Sequence, residues 1–335
     1  MATLPRSLNR LLREVSRSFY LTLRVLPGAI RPQIGLAYLL ARATDTIADT
    51  RLVAPALRLG ALQSLRHRIE GSTATKLDFG ELARQQGSPG ERVLLERIEE
   101  AIALLATFPA GDQQQIRTVL RTITSGQELD LVRFGAADAT AIVSLQTPEE
   151  LDDYTYRVAG CVGEFWTHLC RAHLFPDAAL NEGELLADAV RFGKGLQLVN
   201  ILRDLPADLS QGRCYLPANE LLAAELNPRD LLDAANMPRL RRLYDRYLNL
   251  AHEHLAAGWR YTNALPRCQV RVRLACAWPI LIGVKTLSRL RSANVLDGTR
   301  PVKIRRPEVR ALLLRSLLAY PLRHTWERLF AVASA

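Results

Sequence analysis

The segment Phe192–Pro217, FGKGLQLVNILRDLPADLSQGRCYLP, constrains the fold more than any other stretch of the chain. Gly193, Gln197, Asn200, Asp204 and Asp208 follow one another at steps of four, three, four and four, so on a helix they share one face. Leu198, Ile201, Leu202 and Leu205 fill much of the remainder, which sets the polar stripe among apolar neighbours, the reverse of a solvated face. Two carboxylates one turn apart repel unless a cation lies between them, and an all-oxygen donor set points to Mg²⁺. Arg203 and Arg213 flank the acids, as a diphosphate held by metal and guanidinium requires. The helix is expected from about Asn181 to Asp204. The ring of Pro206 removes a backbone donor and disfavours further helix, so Asp208 is expected to turn off the stripe.

YLLARATDTIADT repeats the design near the N-terminus. Tyr38, Arg42, Asp45 and Asp49 stand at steps of four, three and four, again with two carboxylates at i and i+4. An acid pair on a helix is usually solvated surface. Here each pair has an arginine just before it, Arg42 or Arg203, and both stripes lie in apolar helices. Two such helices facing each other would surround one cavity with four carboxylates, a cage for several Mg²⁺ ions and one or two diphosphates.

Elsewhere Leu, Ala and Arg recur at helical spacing, and alternating β-branched runs are almost absent, which predicts an all-α protein. Helices are expected near 32–50, 54–70, 89–107 and 111–134. Others begin at Thr147-Pro148, at Asn227-Pro228 with an interruption at Met237-Pro238, near Arg267 and near Pro307. With no repeat and no low-complexity linker, one domain over residues 1–335 is the simplest reading. The formal net charge of +10 suggests anionic partners. Its arginines are spread over many helices without a recognition motif, which argues against nucleic acid.

The apolar run Leu274–Val284 is well short of the ~20 residues that span a bilayer. The N-terminus lacks the apolar run of a signal peptide, so a cytoplasmic protein is expected. The last helical segment is cationic and amphipathic. It suits peripheral membrane contact, but Pro321 interrupts it, and packing of its leucines on the domain is the favoured expectation. The five cysteines lack ligand spacing and read as reduced core thiols. His168, His173, His252 and His254 likewise fit no metal pattern.

Four motifs in order, SRSF (Ser16–Phe19), YLLARATDTIAD, YTYRVAGCVGEFW (Tyr154–Trp166) and GLQLVNILRDLPADLSQGRCYLP, make the chain resemble the trans-isoprenyl head-to-head synthases, the squalene/phytoene synthase family. The resemblance covers most of the chain. It implies an all-α isoprenoid synthase fold with a central cavity, Mg²⁺ dependence and farnesyl or geranylgeranyl diphosphate as substrate. Ala48 and Ala207 stand where many relatives carry a further acid, but the four spaced aspartates remain. By this resemblance Asp45, Asp49, Asp204 and Asp208 hold Mg²⁺. Arg42, Arg203 and Arg213 match diphosphate-contacting positions, with Ser16 and Arg17 nearby candidates. Tyr154 matches the tyrosine beside the reacting carbons, and Phe19 an aromatic position facing the carbocation. Tyr38 and Tyr215 are placed to hydrogen-bond diphosphate oxygens, and Gln197 and Asn200 to hold metal-bound water. Gly160 and Gly163 are expected to permit close helix approach or to leave room for a prenyl chain. Val302–Arg306, VKIRR, is similar to the basic segment of squalene-forming members, where Lys303, Arg305 and Arg306 would meet the 2′-phosphate of NADPH. The implied reaction joins two farnesyl diphosphates through presqualene diphosphate and reduces the product to squalene. The alternative stops at presqualene diphosphate, or makes dehydrosqualene or phytoene, without NADPH.

Overall fold

The structure is a computed structural model that describes residues 4–16, 19–50 and 52–334, Phe19 by its backbone alone. Among these residues the regular structure is helical, apart from one pair of two-residue strands and an isolated bridge at Asp138–Ala141. The all-α expectation holds. Contacts divide the chain into two compact units, Met1–Gly135 with Phe165–Ala178, and Ala136–Glu164 with Ala179–Ala335.

The first unit contains α1 (Arg6–Val15), α2 (Phe19–Val25), α3 (Arg31–Asp49), α4 (Pro55–Glu70), α5 (Gly80–Arg84), α6 (Pro89–Glu96), α7 (Ile98–Leu105) and α8 (Ala110–Phe134). The helix expected over 89–107 is divided at Arg97. Pro32 opens α3 in its first turn, where the missing N–H is harmless. Ile34, Leu36, Leu39, Leu40, Ala43 and Ile47 are buried around most of that helix, which therefore packs against α1, α2, α4, α6, α7 and α8. Buried Asp112 on α8 accepts from Gln33 Nε2 at 3.0 Å and lies 2.7 Å from His173 Nε2. His173 is thus a half-buried residue with its ring satisfied by Asp112.

The second unit contains β1 (Val143–Ser144), α9 (Pro148–Thr155), a π-helical turn (Tyr156–Gly160) and α10 (Cys161–Leu174), whose residues from Phe165 belong to the first unit. It continues with α11 (Glu182–Ser210), β2 (Arg213–Cys214), α12 (Ala218–Ala223), two 3₁₀ turns (Pro228–Leu232 and Ala234–Asn236), α13 (Met237–Ala264), α14 (Val270–Ser292), α15 (Arg306–Ala319), α16 (Arg323–Glu327) and α17 (Leu329–Ser334). α11 is its centre, packed against α9, the π turn, α13 and α14. Glycines let neighbours close on it. A Cβ at Gly193 would stand 2.2 Å from Ala159 O, and one at Gly163 2.1 Å from Ala189 O. Gly193 therefore serves packing, and the polar stripe begins at Gln197.

α11 does not end at Asp204; it runs through Pro206 to Ser210. Pro206 has no N–H to offer the carbonyl of Leu202, and a buried orphan carbonyl is costly. Tyr244 on α13 supplies the missing donor: its buried hydroxyl lies 2.9 Å from Leu202 O. Burial raises that phenol well above the ordinary tyrosine range, so it stays a donor. Asp208 consequently remains one helical turn beyond Asp204. Tyr244→Phe is expected to cost about 1–3 kcal/mol of stability. In a Pro206→Ala background the backbone N–H returns and the same change should cost distinctly less, which a double-mutant cycle of denaturant midpoints measures. Additive costs would count against this account.

The C-terminal leucines depart from expectation as well. The inner face of α15 rests on α14 through Ser316 and Ala319, fixed by the indole of Trp278 donating to Ser316 Oγ at 3.0 Å. Trp326 of α16 occupies the larger site, stacked 5.2 Å from Trp259 beneath the Arg273 guanidinium. Leu314, Leu317 and Leu318 are left outside.

Candidate active site

In the first unit the stripe on α3 forms a charge chain. Arg42 Nη1 binds Asp45 Oδ2 at 2.5 Å, and the other Nη binds Glu91 on α6. Asp49, one turn on, is exposed. Asp45 keeps 43% of its side chain in contact with solvent, yet neighbouring atoms crowd it on the protein side. Desolvation first, then the charge of Asp49, push its carboxyl up to about 6 against the pull of Arg42. Arg42 is thus shared between two acids, Asp45 on its own helix and Glu91 on α6. Glu91 was not foreseen, because it lies 49 residues from Arg42 in an ordinary first helical turn. Tyr38 Oη reaches Val15 O at 3.4 Å, and buried Ser16 donates to Leu12 O at 2.5 Å. Arg17 and the Phe19 side chain lie outside the described residues.

In the second unit Arg203 grips its neighbour Asp204 through two bonds of 2.8 and 2.5 Å, leaving 46% of the Asp204 side chain open. Gln197 is half-buried, and Asn200 is exposed. After α11 the chain turns at Gly212. Its φ of +78° demands glycine, and so does the space around it, since an added Cβ would stand 2.4 Å from Asp138 N. β2 then pairs in parallel with β1, Val143 N to Gly212 O at 2.9 Å and Leu145 N to Cys214 O at 3.1 Å. This clip carries Arg213 and Tyr215 back to the segment that precedes α9. Tyr154 and Tyr215, both buried, consequently stack at 4.8 Å with their hydroxyls 3.3 Å apart. The sequence motifs pointed to each tyrosine separately; the strand pair explains their meeting.

The π turn follows α9 directly, and such turns recur at functional sites. Near it the Lys194 ammonium binds Asp152 at 2.7 Å, and Tyr156 donates to Glu164 at 3.0 Å. Lys194 belonged to no acid stripe and so escaped the sequence reading. Lys303, Arg305 and Arg306 are all exposed at the start of α15. His254 accepts from Arg191 Nε at 3.2 Å and is pushed down to about 4, by burial first and then by Arg191.

The acid pairs fit Mg²⁺ in its substrate-dependent mode. Among the described residues no group of three or more His, Cys, Asp or Glu is clustered as a ready metal cage. Mg²⁺ characteristically takes one or two carboxylates and completes its shell with water and substrate phosphate. Paired, partly open aspartates beside arginine match that donor set.

A family model for squalene/phytoene synthase matches residues 12–308. The chain belongs to that family. Members of that family are head-to-head isoprenyl transferases of isoprenoid biosynthesis that act on isoprenyl diphosphates, and the chain is an enzyme of that family. It is 30% identical over 264 residues to a 15-cis-phytoene synthase of Synechocystis, covering 76% of this chain and 67% of that one. It is 26% identical over 313 residues to the Botryococcus squalene synthase of Botryococcus braunii, covering 91% of this chain and 61% of that one. Fungal bifunctional lycopene cyclase/phytoene synthases also match, and this chain spans about 40% of the length of one from Gibberella fujikuroi. The solved complex of TcSQS with a ligand superposes with a TM-score of 0.76 at 22% identity over 98% of this chain and 96% of that one. The fold is that of isoprenoid synthases.

Proposed function

We propose that the protein joins two molecules of farnesyl diphosphate head to head and reduces the product to squalene. The observation that carries this reading is the pairing of an arginine with an acid in both motifs, Arg42 with Asp45 and Arg203 with Asp204. Such pairs offer anchors for a leaving diphosphate beside carboxylates able to hold a metal. Asp45 with Asp49 in one unit, and Asp204 with Asp208 in the other, would each hold Mg²⁺, which would supply neutralising charge to a departing diphosphate. Arg42 in the first unit, and Arg203 and Arg213 in the second, would each offer guanidinium donors to diphosphate oxygens. Loss of diphosphate leaves an allylic cation, which the double bond of the second substrate attacks. Proton loss to the released diphosphate then closes the cyclopropane of presqualene diphosphate, and Tyr154, hydrogen-bonded to Tyr215, would orient that diphosphate. A second ionisation and rearrangement follow. Lys303, Arg305 and Arg306 would meet the 2′-phosphate of NADPH, which would supply the hydride that completes squalene.

A second reading, phytoene formation from geranylgeranyl diphosphate without reductant, is favoured by the 30% identity to the phytoene synthase. Purified protein incubated with each diphosphate and Mg²⁺, with and without NADPH, separates them by mass spectrometry of the products. Squalene that forms only when NADPH is present is the expected result. A product from farnesyl diphosphate that NADPH leaves unchanged would remove the reductive step, and phytoene as main product would favour the second reading.

A further inference from the structure

Turned outward on α15 are Leu314, Leu317 and Leu318, 57%, 48% and 68% exposed, with Leu322 just beyond at 61%. At the helical period Arg310 and the three leucines fall on one face. The opposite face carries buried Ser316 and Ala319, with Leu312 and Leu313 half-buried. Scattered exposed leucines are ordinary, but four between positions 314 and 322 form a patch. A helix apolar on both sides is covered on both sides when it works.

Charge says by what. From Arg306 to the end, five arginines stand against two glutamates. Both glutamates are already engaged, Glu308 by Arg289 at 2.5 Å and Glu327 by Arg323 at 2.9 Å. Arg310, Arg315 and Arg328 are exposed and have no ion-pair partner among the described residues. A second copy docked on this face by two-fold symmetry would set these arginines against one another. An anionic lipid surface matches both the leucines and the charge. No described helix is long and apolar enough to cross a membrane, so the contact lies in the interfacial plane.

We infer that α15 and the turn into α16 form a docking surface for an anionic bilayer. Leu314, Leu317, Leu318 and Leu322 enter the acyl boundary, and Arg310 and Arg315 meet headgroup phosphates. The inference stands on this surface alone and does not depend on which product the enzyme makes.

Co-sedimentation of the full chain with vesicles tests it, comparing phosphatidylcholine alone with an equal mixture of phosphatidylcholine and phosphatidylglycerol. Binding to the anionic vesicles, weakened by salt, and little binding to the neutral ones are expected. Replacing Leu314, Leu317 and Leu318 together by Ser should weaken binding about a hundredfold or more. Arg310→Gln with Arg315→Gln should weaken it about tenfold and flatten the salt dependence. Both variants change exposed positions, so their melting temperatures should match the parent. Equal binding to neutral vesicles, no binding, or binding indifferent to the leucine changes would overturn the inference. So would a dimer in sedimentation equilibrium that Leu318→Ser splits, which would assign the patch to a second copy.

Discussion

Asp45→Asn should lower prenyl diphosphate turnover by roughly a thousandfold, about 4 kcal/mol of barrier, while raising the melting temperature of the metal-free protein near pH 8. The two effects have one origin. Asp45 is pushed up to about 6 by desolvation and then by Asp49. A carboxyl whose folded pKa exceeds its unfolded value favours folding below the unfolded value and loses that contribution as pH rises through about 6. Near pH 8 the ionised group opposes folding, and asparagine removes the opposition. Well below pH 3.8 the acid is protonated in both states and behaves like the amide, so the difference between the two proteins should vanish. Adding Mg²⁺ with diphosphate should stabilise the parent and leave the variant unmoved. Melting curves in chelator across pH measure the first effect and initial rates the second. A variant that melts with its parent at every pH would refute the account of a crowded acid. One with full activity would remove Asp45 from the chemistry.

Gly163→Ala should be among the most damaging methyl additions in the chain, at about 3 kcal/mol or more. The new Cβ would stand 2.1 Å from Ala189 O and 2.5 Å from its carbonyl carbon, backbone atoms that cannot swing aside. α10 and α11 would have to separate, shifting the helix that carries Asp204 and Asp208. Gly60 supplies the contrast. It lies within α4 with nothing within 4 Å of an added Cβ, so Gly60→Ala should stabilise by about 0.5–1 kcal/mol. Denaturant midpoints decide the matter: if the two substitutions behaved alike, close approach at Gly163 would not be what holds the helices together.

Helical period and acid spacing made both motifs legible in the sequence alone. Each stripe holds its position on its helix, and an arginine grips an aspartate in each. What escaped depends on partners distant in sequence. Pro206 reads as a helix stop until Tyr244, far along the chain, caps the carbonyl it orphans. Glu91 carries no local sign that it will balance Arg42. Strands of two residues are too short to show alternation, so β1 and β2 were invisible although they set Tyr154 against Tyr215. The outward leucines of α15 failed for the opposite reason: a local pattern says that a face is greasy, not which side of the helix its own fold will cover.

The clip between β1 and β2 bears on the order in which this chain assembles. Ser144 Oγ reaches Leu216 O across 72 residues, so α9 through α11 form the body of a closed loop. Closing a span of that length sacrifices chain entropy before any tyrosine contact can compensate, and such pairings come late. During synthesis or refolding, α11 can wind and display its aspartates well before the aromatic pair exists. Catalytic competence would then lag behind helix content, and that interval is set by topology rather than by any residue that touches substrate.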